Sequence, residues 1–301
     1  MSLKRTILGS YVVGVTGLAA LTIVAILLLV MTNIVIGGWD TLTWEFLTAA
    51  PKEGMTAGGI FPAIIGTVLL VLLMSIAGVP AGVITAIYLS EYASQKSIMA
   101  RSIRFAVNTL AGVPSIVFGL FGLGFFVQFV GGGMDAMFTD GVRLRWAQPN
   151  ILWASLTMAL LTLPVVIVSV EEAIKNVPQD LRAGSLALGA TKWQTIWKVV
   201  LPNSLNGILT GAILAVSRGA GEVAPILFTG VAYFLPQLPG ELSDQFMQLG
   251  YHVYIMSTQS TNVEATKGIQ YATTLVLLLL TFLLNFSAIL LRARVRARQI
   301  Q

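Results

Sequence analysis

Arg218 and Glu222 stand four residues apart in an otherwise apolar stretch, with Ser217 ahead of them, Gly219 and Gly221 between them and Pro225 beyond. On a helix that spacing brings the two side chains together. A guanidinium offers a planar fork of donors that matches an oxyanion, and a carboxylate one turn away can hold the fork or exchange with the anion. The structural alternative is an ion pair that locks helices to one another. An Arg inside a membrane costs at least about 2.5 kcal/mol on insertion scales, so it should face the bundle interior or a wet cavity, and such residues are functional by default. The weaker pathway candidates are Asn108 and Ser115, where an amide or hydroxyl also serves interhelical packing; Asn285 is read in the same way. His252 reads as a solvated loop residue. Glu171 and Glu172 are adjacent carboxylates, but Lys175 follows within one turn and the pair closes a helix, so acid–base catalysis is not expected there.

The inventory around these residues excludes most chemistry. There is no Cys and one His, which removes disulfides, thiolate sites and most metal chemistry, so no metal ligands are assigned. No G-x-x-x-x-G-K-[ST] sequence occurs, so any ATP must be hydrolysed by another chain. An intramembrane enzyme fails on the same inventory. The chain is 56% hydrophobic and only 10% charged, against about a quarter charged in soluble domains. This is the composition of a polytopic membrane protein. The net charge of +5 is scattered between apolar runs, which fits loops at an anionic leaflet of the lipid bilayer and not nucleic-acid binding.

Six spans carry these residues in an all-α, polytopic helical bundle. The first is the charge-free run from Thr6 to Trp39, long enough to cross and too long for the apolar region of a cleaved signal peptide. Span two runs from Gly59 to about Ala77, with an extension kinked at Pro80 that reaches Ser90. Span three covers about Phe105 to Val130, and span four Asn150 to Val170 with a bend at Pro164. Span five covers Leu205 to Val231, which puts Arg218 near the bilayer midplane. An outer loop region from Ala232 to Gly268 precedes span six, Ile269 to Leu291.

Charge sets the orientation. Lys4, Arg5, Lys96, Arg101, Arg104, Lys175, Arg182, Lys192, Lys198 and the tail residues Arg292, Arg294, Arg296 and Arg298 fall in one set of loops and ends. The other set holds only Lys52, Arg143, Arg145 and Lys267, with the acids Asp40, Glu45, Glu53, Asp135 and Asp140. Both termini are therefore expected in the cytoplasm. The division expected is a first span with its outer loop (1–58), a core (59–291) containing an inner loop at 171–204, and a basic tail (292–301).

That inner loop is organised. Pro178 suits a first helical position, Asp180 the first turn, and Gly189 the left-handed residue that stops a helix. Thr191 can cap a second helix, in which Trp193, Ile196, Trp197, Val200 and Leu201 recur at helical spacing before Pro202 marks the start of span five. Two short helices across the spans would make a platform for a push from a soluble partner; an interfacial amphipathic hairpin has the same pattern.

This loop resembles the one shared by permease subunits of binding-protein-dependent ABC importers: Glu-Ala-Ala, three residues, Gly, nine residues, Ile, one residue, Leu-Pro. Gly189 and Leu201-Pro202 fall in register, and Ala183-Gly184-Ser185 stands where the family has Glu-Ala-Ala. The string Ser217 to Pro225 resembles the signature of PstA-type permease subunits of phosphate ABC importers, with Val223 where Thr is common. The similarity also takes in Gly59 to Thr67, Ala86 to Tyr92 and Gly112 to Gly119. It implies a type I ABC importer permease fold in a bacterial inner membrane, and alternating access by which inorganic phosphate passes Arg218 and Glu222. It also implies ATPase coupling through Arg182, Ala183, Gly184, Ser185, Leu186, Gly189, Leu201 and Pro202. The partners implied are a second related permease subunit, two ATPase subunits that hold the ATP and Mg, and an external phosphate-binding protein; no cofactor is implied in this chain. Alternatives are an importer for another oxyanion (sulfate, molybdate or phosphonate) and an ion-coupled carrier or channel, in which Arg218 and Glu222 would be the selectivity or coupling pair.

Overall fold

A computed structural model describes residues 3–94, 96–138, 144–260 and 263–299, leaving aside the side chains of 3–8, 54, 265 and 295–299. Asp140 and Arg143, and the side chains of Lys4, Arg5, Arg296 and Arg298, all used in the charge count, lie outside that description. Among the described residues six helical segments are long and apolar enough to cross a membrane: Gly9–Thr41, Phe61–Tyr92, Ser115–Phe138, Ile151–Lys175, Lys192–Gly221 and Thr266–Arg294.

The column at the centre is α7 (Ile151–Lys175), which packs against α3 (Phe61–Ile87) on one side and α10 (Leu201–Gly221) on another. Small residues allow both approaches. Gly207 and Gly211 of α10 lie on Ala173 and Ser169 of α7, and Gly78 and Gly82 of α3 lie on Ala159 and Val166. Each pair is a G-x-x-x-G, spaced so that both glycines face the neighbour and let backbones close up where apolar surface alone gives no drive to associate. Pro80, between the second pair, sits inside α3 without ending it. α1 (Leu3–Gly38) packs on the long α12 (Val263–Gln299) at the periphery and leaves its apolar side chains exposed, as a lipid-facing helix does.

Three expected boundaries move. Residues 98–111 form a separate helix, α4 (Ile98–Ala111), and the chain breaks at Gly112–Pro114 before α5 (Ser115–Gly122) begins the span. Pro114, with no N–H and with φ pinned, suits the position just before a helix and not its interior. The third crossing is therefore α5, a π-helical stretch Leu123–Gly131 and α6 (Gly132–Phe138), and Phe105 lies ahead of it. The second platform helix is also not separate: α9 (Lys192–Thr195), a π-helical turn Ile196–Val200 and α10 form one continuous path. Pro202 falls directly after the π-helical turn, at the start of α10.

The third change matters most for the site. α10 stops at Gly221, not Val231, and Glu222 is already extended, with φ −79 and ψ 137. Gly219 and Gly221 are poor helix formers, and Pro225 disfavours helical geometry at the residue before it. The chain from Val223 to Gln248 then packs into the end of the bundle opposite α8 (Gln179–Ala187) as a series of turns, followed by α11 (Leu249–Thr258). It is no open loop: Ile226, Thr229, Phe246, Met247, Gln248 and Leu249 are buried. Its carbonyls serve the free N–H groups at the start of α7, with Ile151 N donating to Asp244 O at 2.9 Å and Leu152 N to Leu242 O at 3.2 Å.

Candidate functional site

Gly219 rests against Met74 and Met158; a Cβ there would lie 2.5 Å from the Met74 sulfur and methyl. Met74 is half-way along α3, so the broken end of α10 lies half-way down the bundle. Arg218 occupies the last turn of α10, where a cation complements the carbonyl end of the helix dipole. Arg218 thus lies at the end of a helix, level with the middle of α3, and not in the middle of a continuous one.

Arg218 Nε and Glu222 Oε1 are 3.8 Å apart, with the two side chains 42% and 25% exposed. That separation is an ion pair but exceeds a hydrogen bond. Arg218 makes no hydrogen bond among the described residues, and its side chain is partly exposed. Ser217 is exposed beside it, and its hydroxyl accepts from Asn285 Nδ2 of α12 at 3.2 Å, while Asn285 Oδ1 is buried and without a partner. Beyond Gly221 there is open space. One wall is α5, because Gly119 meets the carbonyls of Ala224 and Pro225. Half-buried Ser115 is one turn from that contact on the same helix. Asn108 is not gathered with them. It is exposed on α4, one turn beyond Arg104, on the other side of the Gly112–Pro114 break.

Sequence reasoning missed Gln248. Its side chain is fully buried; Nε2 lies 3.5 Å from the Ala220 carbonyl at the broken end of α10, and Oε1 accepts from Tyr251 N at 2.6 Å to cap α11. A glutamine in a polar stretch carries no pattern, so only the close approach of two helix ends reveals it. His252 also differs from expectation. It is 2% exposed on α11, Nδ1 has no partner, and burial pushes its pKa down to about 4. Asp135, expected in an outer loop, is buried in α6 and accepts from the backbone N–H groups of Arg145, Trp146 and Ala147.

The platform residues gather at the other end of the bundle. Gly189 has φ +84, the left-handed stop expected of it, and Thr191 caps α9 with Gln194 completing a reciprocal capping box. α8 begins at Gln179, with Pro178 as its cap residue. Ala183, Gly184 and Leu186 are exposed on α8, and Leu188 just after it is 91% exposed. Ser185 turns inward to Thr195 at 2.9 Å. Arg182 is the brace. It pairs with Glu91, in the π-helical turn Tyr88–Tyr92 that ends span two, and donates to the Ile174 carbonyl at the end of α7. Lys192 donates to the Glu91 carbonyl and lies over the Tyr92 ring, 5.1 Å from its centre. Leu201 is half-buried and Pro202 exposed on the path into α10. Glu171 is buried between Arg104 and Lys175 as the centre of an ion-pair cluster.

Comparison with known proteins places this arrangement. The "Probable ABC transporter permease protein YqgI" of Bacillus subtilis is 33% identical over 75% of this chain and 72% of its own length. The "Phosphate transport system permease protein PstA 1" of Mycobacterium tuberculosis is 35% identical over 63% of this chain and 58% of its own length. For PstA of Yersinia pestis the figures are 36%, 68% and 64%; the match thus spans somewhat less than two thirds of these two phosphate-system relatives. A bacterial alginate ABC transporter, solved with a substrate-bound periplasmic protein, contains a chain that superposes with a TM-score of 0.66 at 16% identity, over 95% of both chains. The inward-facing MetNI methionine ABC transporter gives 0.54 at 21% identity, over 79% of this chain and 94% of that one. Both show the type I ABC importer permease fold. Residues 78–298 match the family described as binding-protein-dependent transport system inner membrane component, and the chain belongs to that family.

Proposed function

We propose that this chain is the permease subunit through which an ATP-driven importer passes inorganic phosphate across the bacterial inner membrane. The observation that carries the reading is Arg218: a guanidinium half-way down a membrane bundle, half exposed, with no hydrogen bond among the described residues. A cation in that position needs a partner from elsewhere. The open side on which it lies is where a second, related permease subunit would complete a central pathway, and a tetrahedral oxyanion entering there can take two of its donors at once. Glu222 is near enough to hold the guanidinium between passages and too far to occupy its hydrogen bonds. Ser217 and Ser115 flank that route. The names of the M. tuberculosis and Y. pestis relatives support phosphate as the oxyanion.

The force would arrive through α8. Exposed Leu181, Leu186 and Leu188 offer an apolar surface to an ATPase, and two copies of that subunit would bind and hydrolyse ATP with Mg. Arg182 ties α8 to the ends of spans two and four, and Lys192 ties the start of the fifth path to the same turn. A displacement of α8 therefore moves three spans together, and the continuous path from Lys192 to Gly221, 30 residues or about 45 Å long at the helical rise, ends at Arg218. Both termini lie in the cytoplasm in this arrangement, and an external phosphate-binding protein delivers the anion to the opposite face. The test is uptake of radiolabelled phosphate by proteoliposomes holding the whole complex and its binding protein, with sulfate and molybdate as competitors. Phosphate accumulation resistant to both is expected; accumulation of sulfate or molybdate in its place would overturn the assignment.

A further inference from the structure

Three cations also gather beside the ion-pair cluster of Glu171. A cavity of about 350 Å³ at the α8 end of the bundle is lined by Ser90, Ser94, Arg101, Arg104 and Lys175. It lies between the end of span two, the start of α4 and the end of α7, about 25 Å along α7 from Met158 by the helical rise. Its volume is in the range of small-molecule sites.

The charges do not balance. Glu171 alone faces two of the three cations: Lys175 Nζ is 2.8 Å from its Oε1, and Arg104 pairs with it while donating to the Leu89 carbonyl at 3.0 Å. Arg101 has no ion-pair partner among the described residues and is exposed at the cavity wall. Glu172 is exposed and pairs with none of them, and Glu91 is taken by Arg182. Three cations against one carboxylate leave an excess of two positive charges. A separate observation points to a ligand: Ser90 Oγ is buried and has no hydrogen-bond partner among the described residues.

We infer that this cavity is a binding site for a phosphate group, held by Arg101, Lys175 and the Ser90 hydroxyl, with Arg104 behind them. A guanidinium, an ammonium and a hydroxyl donor around excess positive charge suit a tetrahedral oxyanion. The group comes either from an anionic phospholipid, which basic pockets between membrane helices recognise, or from inorganic phosphate. Occupancy joins α4 to the ends of span two and α7, which anchor α8 through Arg182, so the ligand stiffens the platform. The inference stands on these residues and holds whichever substrate the chain transports.

The assay is amine-selective labelling of the whole purified complex in neutral detergent, read at Lys175 by peptide mass spectrometry so that an anion bound at Arg218 does not register. Inorganic phosphate, phosphatidylglycerol and phosphatidylcholine are added in separate arms. Protection by phosphatidylglycerol alone assigns a lipid headgroup, and protection by inorganic phosphate assigns the free anion. In either case Arg101→Gln raises the half-protecting concentration about tenfold or more, the loss of one charge-assisted hydrogen bond, and Ser90→Ala raises it several-fold. Protection by neither anion, equal protection by phosphatidylcholine, or unchanged protection in a folded Arg101→Gln variant would each overturn the site.

Discussion

Replacing Arg218 with Gln separates a role in the pathway from a role in the fold. The 3.8 Å contact with Glu222 is partly exposed, and such pairs contribute roughly 0–1 kcal/mol. No hydrogen bond among the described residues is lost. The melting temperature of the assembled complex should therefore stay within a few degrees of wild type. Transport should behave differently. If the guanidinium gives two charge-assisted hydrogen bonds to the passing anion, each worth about 1.5–3 kcal/mol, the loss is about 3–6 kcal/mol, or a fall in uptake of roughly two to four and a half powers of ten. Arg218→Lys keeps the charge but not the fork, and should fall between the two. The measurements are phosphate uptake into proteoliposomes, ATP hydrolysis by the same preparation, and its thermal unfolding. Undiminished uptake by Arg218→Gln would refute the pathway role. A large fall in melting temperature matching the loss of uptake would instead make Arg218 a structural residue.

Other expectations follow from single contacts. Arg182→Ala leaves Glu91 largely buried without its partner, so it should destabilise the complex by about 3 kcal/mol and let ATP hydrolysis continue without proportional uptake; retained coupling in that variant would remove the brace from the force path. Gly207→Leu forces a side chain into Ala173 of α7, and overpacking of this kind costs about 1–3 kcal/mol, visible as a lower melting temperature. His252 has a folded pKa near 4 against 6.5 for the free side chain, so the unfolded chain takes up the proton first as pH falls. The stability that neutral burial contributes is complete above pH 6.5 and is lost between 6.5 and 4, by up to about 3 kcal/mol. His252→Gln should flatten that part of the pH–stability curve, and an unchanged curve would show that another group titrates.

The legible parts of this protein are those that depend on local chemistry. Gly189 must take positive φ wherever the chain goes next, because a helix stop there suits only a residue without a Cβ, and the structure has φ +84. Thr191 caps α9 as its residue type predicts, and the structure adds Gln194 to complete the box. The Arg218–Glu222 pair is legible for the same reason. Span ends were less so. Apolar composition continues through Gly112–Pro114 and through Ile226–Val231, and hydropathy does not distinguish a helix from a chain that turns within a bundle. Prolines 80 and 164 lie inside helices, whereas Pro114 and Pro225 lie at breaks. The difference is set by neighbours, since a freed carbonyl is tolerable where packing holds the helix together.

By itself, then, the amino-acid order determined six apolar crossings, the platform between the fourth and fifth, and a cation within a span, because hydrophobic length, capping chemistry and the cost of a charge in lipid are properties of short stretches. Tertiary structure decided what those stretches meet. Burial of His252, the joining of two helix ends by Gln248, the brace from Arg182 to Glu91, 91 residues apart, and the gathering of Arg101, Arg104 and Lys175 around Ser90 all depend on segments distant in sequence. Such contacts form only when helices close over one another, and the order of residues along one helix does not specify which side chains the next will bring. The same is true of Arg218: its type and spacing announce a cation in the membrane, but that its donors are left free follows only from the end of α10 at Gly221 and the 3.8 Å that separates it from Glu222.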